Sequence, residues 1–195
     1  MNIYILRHGE TDENKRNCYY GSTDSSLNEA GKMQAEAASK LLKEIEFNKV
    51  YVSDKKRTKE TAEICLNLNE ENLIKDSRIN EVSFGIFEGK SYEDIKKEFP
   101  DEYEDWIKDW KGFSPLGGEN YYRFYNRVND FMNEVIKNKD ENILIITHGG
   151  VIRAIYCYVL DGCLDLYWKF ASKNGDVSII KYEYGNLFID SITHV

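Results

Sequence analysis

Apolar residues in this chain fall into two kinds of run. Asn2–Leu6, Val50–Val52 and Ile143–Ile146 are short and nearly continuous, the pattern of strands buried on both faces. Elsewhere the apolar positions recur at helical spacing. In Leu27–Ile45 they are Ala30, Met33, Ala37, Ala38, Leu41, Leu42 and Ile45. In Thr58–Leu68 the residues Thr61, Ala62, Cys65 and Leu66 share one face. Gly150–Leu160 predicts a further helix, and Val177–Glu183 with Asn186–Ile192 predicts a hairpin turning at Tyr184-Gly185. Strands alternating with helices predict an α/β fold: three layers, with a mostly parallel central sheet and helices on both faces. The stretch Tyr92–Lys137 breaks the alternation, being helical and rich in aromatic residues. It is expected as a helical insertion, about residues 91–138, lying over the strand ends of a single domain that spans 1–195.

Composition narrows the function. The 195 residues include 34 acidic and 26 basic side chains, for a net charge of −8. No basic run is present, which argues against nucleic acid as a partner. No stretch approaches the ~18 apolar residues of a membrane span. Met1–Leu6 lacks the basic and long apolar regions of a signal peptide, so a cytoplasmic protein is expected. Cys18, Cys65, Cys157 and Cys163 form no Cys-x-x-Cys pair and read as reduced, mostly buried thiols. At this length, with 13% aromatic residues, the core needs no metal or disulfide staple.

In open α/β sheets, sites lie at the carboxyl ends of the strands. There the sequence places Arg7-His8-Gly9 and Thr147-His148-Gly149, and Arg57 follows the Val50–Val52 run. Two arginines and two histidines at strand ends make a cationic pocket in an acidic protein. The planar fork of arginine matches phosphate oxygens, so the pocket reads as a phosphoryl site with a histidine available as nucleophile. Taken singly, either histidine also reads as a structural residue and Arg57 as a surface ion pair. The third histidine, His194, has no partner motif and reads as surface or core filler.

Longer stretches sharpen this reading. Leu6-Arg7-His8-Gly9-Glu10-Thr11, with Asn14 three residues on, resembles the signature of the histidine phosphatase superfamily, the phosphoglycerate-mutase-like group. Ser53–Ala62 is similar to its second arginine motif, Asn80–Gly89 to its acidic motif, and Thr147–Arg153 to its second histidine motif. The resemblance implies a phosphohistidine mechanism on a small-molecule phosphate ester, with no cofactor and no metal. By position, His8 would be the nucleophile. Arg7, Arg57 and His148 would hold the phosphoryl oxygens, and Asn14 would add a hydrogen bond. Glu81 would protonate the leaving group and later activate water. Thr11, Gly21 and Gly149 would flank the substrate. A monomer or homodimer is expected.

Gly85-Ile86-Phe87-Glu88-Gly89-Lys90-Ser91 imitates the end of a P-loop, but Phe84 stands where the first glycine belongs and Glu88 would face the phosphates. For the substrate, the mutases of this group carry an arginine pair in the insertion. Here Arg123 and Arg127 are separated. Trp106–Trp110, Pro115–Glu119, Phe124 and Arg127-Val128 form a series similar to that of α-ribazole-phosphate phosphatases, shared in part by broad-specificity phosphatases, which have a serine where this chain has Asn120. The resemblance points to α-ribazole 5'-phosphate, from cobalamin nucleotide-loop assembly. A broad-specificity phosphatase, a mutase and a non-catalytic phospho-ligand binder are the alternatives. Eleven rings are candidates for an apolar mouth: Phe84, Phe87, Tyr92, Phe99, Tyr103, Trp106, Trp110, Phe113, Tyr121, Tyr122 and Phe124. Most are expected to pack in the core, with Trp106 and Glu119 the nearest candidates for the pocket edge.

Overall fold

In the computed structural model, which describes residues 1–138 and 140–195, six strands form one sheet in the order β3-β2-β4-β1-β5-β6. They are β1 (Asn2–Arg7), β2 (Lys49–Val52), β3 (Ile74–Lys75), β4 (Asn142–Thr147), β5 (Val177–Glu183) and β6 (Asn186–Thr193). The first four in spatial order run parallel, and β5 and β6 add an antiparallel hairpin on one edge. The register pairs Leu6 with Ile146 and Arg7 with Thr147. His8 and His148 therefore leave the sheet side by side, from neighbouring strands, at the same level.

Alternation along the strands separates two cores. Ile3, Ile5, Ile143 and Ile145 face helices α6 (Tyr121–Val135) and α7 (Gly149–Val159). Leu6, Val50, Val52, Leu144 and Ile146 face α2 (Glu29–Leu42) and α3 (Lys56–Leu66). Ile143 to Ile146 are all fully buried, which explains the unbroken apolar run in β4. Each such side chain contributes about 1.5–3 kcal/mol of burial.

The face of α2 differs from the one expected. Gly31, Ala35, Ala38 and Leu42 are buried, while Met33 and Leu41 point to solvent. Small residues let α2 lie close to the chain after β1, so the packing stripe runs through them and not through the largest apolar side chains. The segment 91–138 also divides. Two short helices, α4 (Tyr92–Glu98) and α5 (Pro100–Lys108), are seated on Phe87, whose ring meets Phe99 and Trp106 at 5.7 Å. Helix α6 belongs to the sheet's own cover, because Phe124, Val128, Phe131, Met132 and Val135 are buried against it. Its Asn120 cap accepts from the Arg123 amide, so the residue that departs from the serine pattern has a local role.

The hairpin turns at Tyr184-Gly185, both at positive φ, the conformation that matches strand twist. Cys65 and Cys157 are buried, Cys18 is half-buried and Cys163 is exposed. The expectation of mostly buried thiols thus holds for two of the four, because Cys163 lies in the turn after α7. Among the described residues, no helix is long and apolar enough to cross a membrane.

Candidate active site

Four side chains meet where β1, β2 and β4 end. Burial and a carbonyl fix the tautomer of His8: its Nδ1 donates to the Gly9 carbonyl at 2.7 Å, leaving the Nε2 lone pair unprotonated. The ring is 2% exposed. Burial first, and then Arg57 and Arg7, holds its pKa well below the ordinary imidazole value. The His148 ring stands edge-on to it, 5.1 Å between centroids.

Arg57 enters from the first turn of α3 and is fully buried. Its Nε donates to His148 Nδ1 at 3.2 Å, Nη1 to the Thr23 carbonyl at 2.8 Å, and Nη2 to the Gly21 carbonyl at 3.1 Å. Tyr20 covers the guanidinium, with 4.7 Å between its ring centroid and Cζ. Because arginine only donates, His148 must accept at Nδ1 and donate from Nε2, to Ser53 Oγ at 2.8 Å. Ser53 in turn meets Thr58, whose hydroxyl donates to the Lys55 carbonyl. Both ring nitrogens of His148 are therefore engaged inside the protein. Burial, followed by Arg57, keeps this histidine too well below the usual pKa.

Arg7 ends β1. Its Nη1 donates to the Ser172 carbonyl, and its buried Nε has no partner among the described residues. The guanidinium lies against Gly149, where a Cβ would come within 3.2 Å of Cζ. Glu81 approaches from the opposite side. Its Oε2 accepts from the Gly150 amide at 2.9 Å and its Oε1 from the Val82 amide at 3.0 Å. A Cβ on Gly150 would overlap this carboxylate and come within 2.8 Å of the Tyr167 hydroxyl. The glycine pair thus lets a cation and a carboxylate both touch the start of α7, where the helix dipole favours negative charge.

These groups border a cavity of about 440 Å³. Arg7, Asn14, Glu81, Gly150, Arg153 and Asn174 supply its polar wall. Tyr19, Tyr20, Phe84, Tyr121, Tyr167 and Trp168 supply its rings. His8, Arg57 and His148 are not among its lining residues, but Tyr20, which is, covers the Arg57 guanidinium. Asn14 Oδ1 accepts from the Tyr20 hydroxyl at 2.9 Å and from Asn174 Nδ2 at 3.1 Å, so its Nδ2 is what remains for the cavity.

The sequence matches the histidine phosphatase superfamily (branch 1) over residues 3–194. The chain belongs to that superfamily. It is 30% identical to phosphoserine phosphatase 1 of Hydrogenobacter thermophilus, over 94% of this chain and 87% of that one. It is also 30% identical to the adenosylcobalamin/α-ribazole phosphatase of Salmonella typhimurium, over 92% and 90%. The crystal structure of the α-ribazole phosphatase from Shigella flexneri superposes with a TM-score of 0.88 at 28% identity, covering 97% of this chain and 94% of that one. These relatives make this histidine phosphatase a phosphatase by kinship, while its substrate is set by the cavity.

Within the superfamily framework, several expected contacts fall elsewhere. Thr11 is fully buried and caps the short helix α1 (Asp12–Lys15), its hydroxyl meeting Tyr20 at 2.7 Å. Gly21 serves Arg57 through its carbonyl. Glu119 is held by Arg127, 2.6 Å from Nη2, and by the Ser83 amide, so it braces the Glu81 loop and does not line the main cavity. Trp106 packs behind Tyr19 at 5.4 Å. Of the eleven candidate rings only Phe84 and Tyr121 line the cavity. The remaining rings of its wall come from the Tyr19-Tyr20 loop and from Tyr167-Trp168, which sequence reasoning missed. Asn174 was missed as well, although it donates to the His8 carbonyl at 3.0 Å. Arg153 stood in a recognised motif without a role. His194 is not filler: its Nδ1 lies 2.7 Å from Asp176, a buried carboxylate beside β1.

The P-loop imitation has its own explanation. The Glu88 carboxylate accepts from the amides of Gly21, Ser22, Thr23 and Phe84 and from the Thr23 hydroxyl. It is an internal anion that folds the loop whose carbonyls grip Arg57.

Proposed function

We propose that the protein is a phosphomonoesterase that passes the phosphoryl group through His8. One observation carries this reading: a neutral, buried imidazole with a free Nε2 stands beside Arg7, whose buried Nε–H finds no acceptor among the described residues. Leaving such a donor unpaired costs roughly 1–3 kcal/mol, and a phosphoryl oxygen is the acceptor that Arg7, Arg57 and the α7 N-terminus together favour.

His8 Nε2 attacks phosphorus. The P–O ester bond breaks, its electron pair goes to the leaving oxygen, and Glu81 passes to that oxygen a proton it has taken up from solvent. Water then attacks the phosphohistidine, Glu81 takes a proton from it, and the P–N bond electrons return to Nε2. The guanidinium groups offset charge on the phosphoryl oxygens in a loose transition state. Asn14 Nδ2 donates to the same group. An arriving dianion competes with His148 for the Arg57 Nε–H. His148 Nδ1, released beside negative oxygens, then takes up a proton from solvent and donates to them as well. No step uses a cofactor.

For the substrate we favour α-ribazole 5'-phosphate, in cobalamin nucleotide-loop assembly. Six rings in the cavity wall suit a base-bearing ester, and the named relatives include α-ribazole phosphatases. Phosphoserine is the second reading, on the strength of the Hydrogenobacter relative, and a broad-specificity phosphatase is the third. Mutase chemistry lacks support, because Arg127 is tied to Glu119 and to the carbonyls of Arg78, Asn80 and Glu81, and Arg123 faces solvent. Phosphate release from a panel of esters, read as kcat/KM, tests the reading. A clear lead for α-ribazole 5'-phosphate is expected. A lead for phosphoserine overturns the substrate, and phosphoryl transfer without hydrolysis overturns the reaction.

A further inference from the structure

We propose that Arg153 and Trp168 form the leaving-group subsite, a guanidinium–indole pair that selects esters ending in a flat, acceptor-bearing heteroaromatic ring, as in nucleoside 5'-phosphates. The proposal rests on the phosphomonoesterase reading and adds the residues that recognise what leaves.

Position comes first. Arg153 follows Gly149 by four residues on α7, so it shares that helix face one turn, about 5.4 Å, further from the strand ends. A substrate whose phosphate meets Arg7 beside Gly149 therefore reaches Arg153 with its distal atoms. Both Arg153 and Trp168 line the cavity.

The guanidinium is held without being neutralised. Its Nε donates to the Phe170 carbonyl at 3.0 Å, and Cζ lies 5.1 Å over the Trp168 ring and 5.9 Å over that of Tyr167. Among the described residues, Nη1 and Nη2 have no hydrogen-bond partner and no carboxylate forms an ion pair with them. Arg78 and Arg127 both pair with carboxylates. Arg153 thus offers two oriented donors to the cavity.

The indole is equally prepared. Trp168 is 52% exposed, while Tyr167 and Leu164 of the same short helical segment are buried and anchor it. Edge contacts to Tyr167 at 4.9 Å and to Trp110 at 5.8 Å set its orientation. Tryptophan ordinarily buries most of its surface, and a rigid indole left half open inside a cavity is a preorganised stacking surface. A flat ring with lone pairs would use both halves of the pair, stacking on the platform and accepting from Nη. A carboxylate would use the guanidinium alone.

The test compares α-ribazole 5'-phosphate with ribose 5-phosphate, which lacks the ring, and with phosphoserine, which offers a carboxylate. Wild-type protein should favour the ring-bearing ester by kcat/KM. Trp168→Ala and Arg153→Met should each lower the ratio of α-ribazole 5'-phosphate to ribose 5-phosphate by roughly tenfold or more, mostly through KM. Trp168→Phe should restore most of it, because a ring face returns. An unchanged ratio overturns the proposal. So does an equal loss on every ester, which would place the pair in the phosphoryl machinery, or a selective loss on phosphoserine in Arg153→Met, which would make Arg153 a carboxylate reader. Phosphohistidine formation by the wild type with p-nitrophenyl phosphate separates the two levels. If it forms while the ratios fail, only the subsite is wrong. If it does not form, the parent reading fails.

Discussion

Glu81 and Gly150 are fitted to each other: the carboxylate accepts the Gly150 amide at 2.9 Å, and any Cβ at position 150 would occupy the space the carboxylate fills. Gly150→Ala should therefore displace Glu81 while leaving His8 and Arg7 in place. Its effect should follow that of Glu81→Gln. Both should slow phosphorylation by an alkyl ester about 10²-fold or more, the usual scale of acid–base assistance. Phosphorylation by p-nitrophenyl phosphate should slow far less, since nitrophenolate leaves without a proton. Rapid-quench bursts with the two esters measure this directly. Equal slowing would remove Glu81 from the role of acid.

The two buried histidines set the response to pH. Burial and the arginines hold both well below the ordinary imidazole value of 6.5. His8 is then neutral where a free imidazole titrates, so an acid limb of kcat/KM at about pH 6 should follow the second ionisation of the ester and shift from ester to ester. A limb fixed at the imidazole value for every ester would contradict this. In the unfolded chain both rings bind protons as pH falls through about 6.5, while the folded protein does not. Stability should therefore be fully present above that pH. It should fall between there and the lowered folded values, by about 1.4 kcal/mol per pH unit for each ring. The slope of Tm against pH from 6.5 to 5 should be shallower in His148→Gln than in the wild type. Parallel slopes would contradict the assignment.

Glu88 should act at a distance. Its burial raises the carboxyl pKa, but hydrogen bonds from Ser22, Thr23, Phe84 and Gly21 outweigh that and leave it lowered. Glu88→Gln puts an amide donor among those donors and loosens the Gly21–Thr23 loop that holds Arg57. Loss of about 1–3 kcal/mol in denaturant unfolding is expected, with a rise in KM for phosphate esters. Unchanged stability would mean that the loop holds its shape without the carboxylate.

Positive charge at the site comes from Arg7, Arg57 and the start of α7. Turnover should accordingly survive dialysis against EDTA without loss of rate, measured with p-nitrophenyl phosphate. Loss on chelation and recovery with a divalent cation would require a different mechanism.

The parts of this site that are local in sequence were legible in it. Arg7 and His8 follow an apolar run, His148 follows another, and parallel pairing of those runs brings them together. Arg57 and Glu81 were readable because their motifs resemble a family's. The cavity wall was not, for a physical reason. Trp168 lies in a short 3₁₀ segment and Asn174 in an irregular stretch after α7, too short for periodicity to place them, and they reach the site only because β5 returns beside β1. The aromatic residues of 91–138 misled for the opposite reason: their spacing is helical, but α6 turns its face to the sheet, and α4 and α5 close on Phe87. Thr11 and Glu119 are polar residues near the site whose hydrogen bonds go to a cap and to Arg127, a distinction that needs the fold.

The central claim is that phosphate leaves by way of His8 Nε2, and trapping the intermediate tests it most directly. Enzyme mixed with a ³²P-labelled ester and quenched in alkali within milliseconds should carry acid-labile, alkali-stable label on the peptide containing His8. His8→Ala should carry none and should not turn over while keeping its fold. Label on a serine, an aspartate or His148, or turnover by the alanine variant near the wild-type rate, would contradict the account.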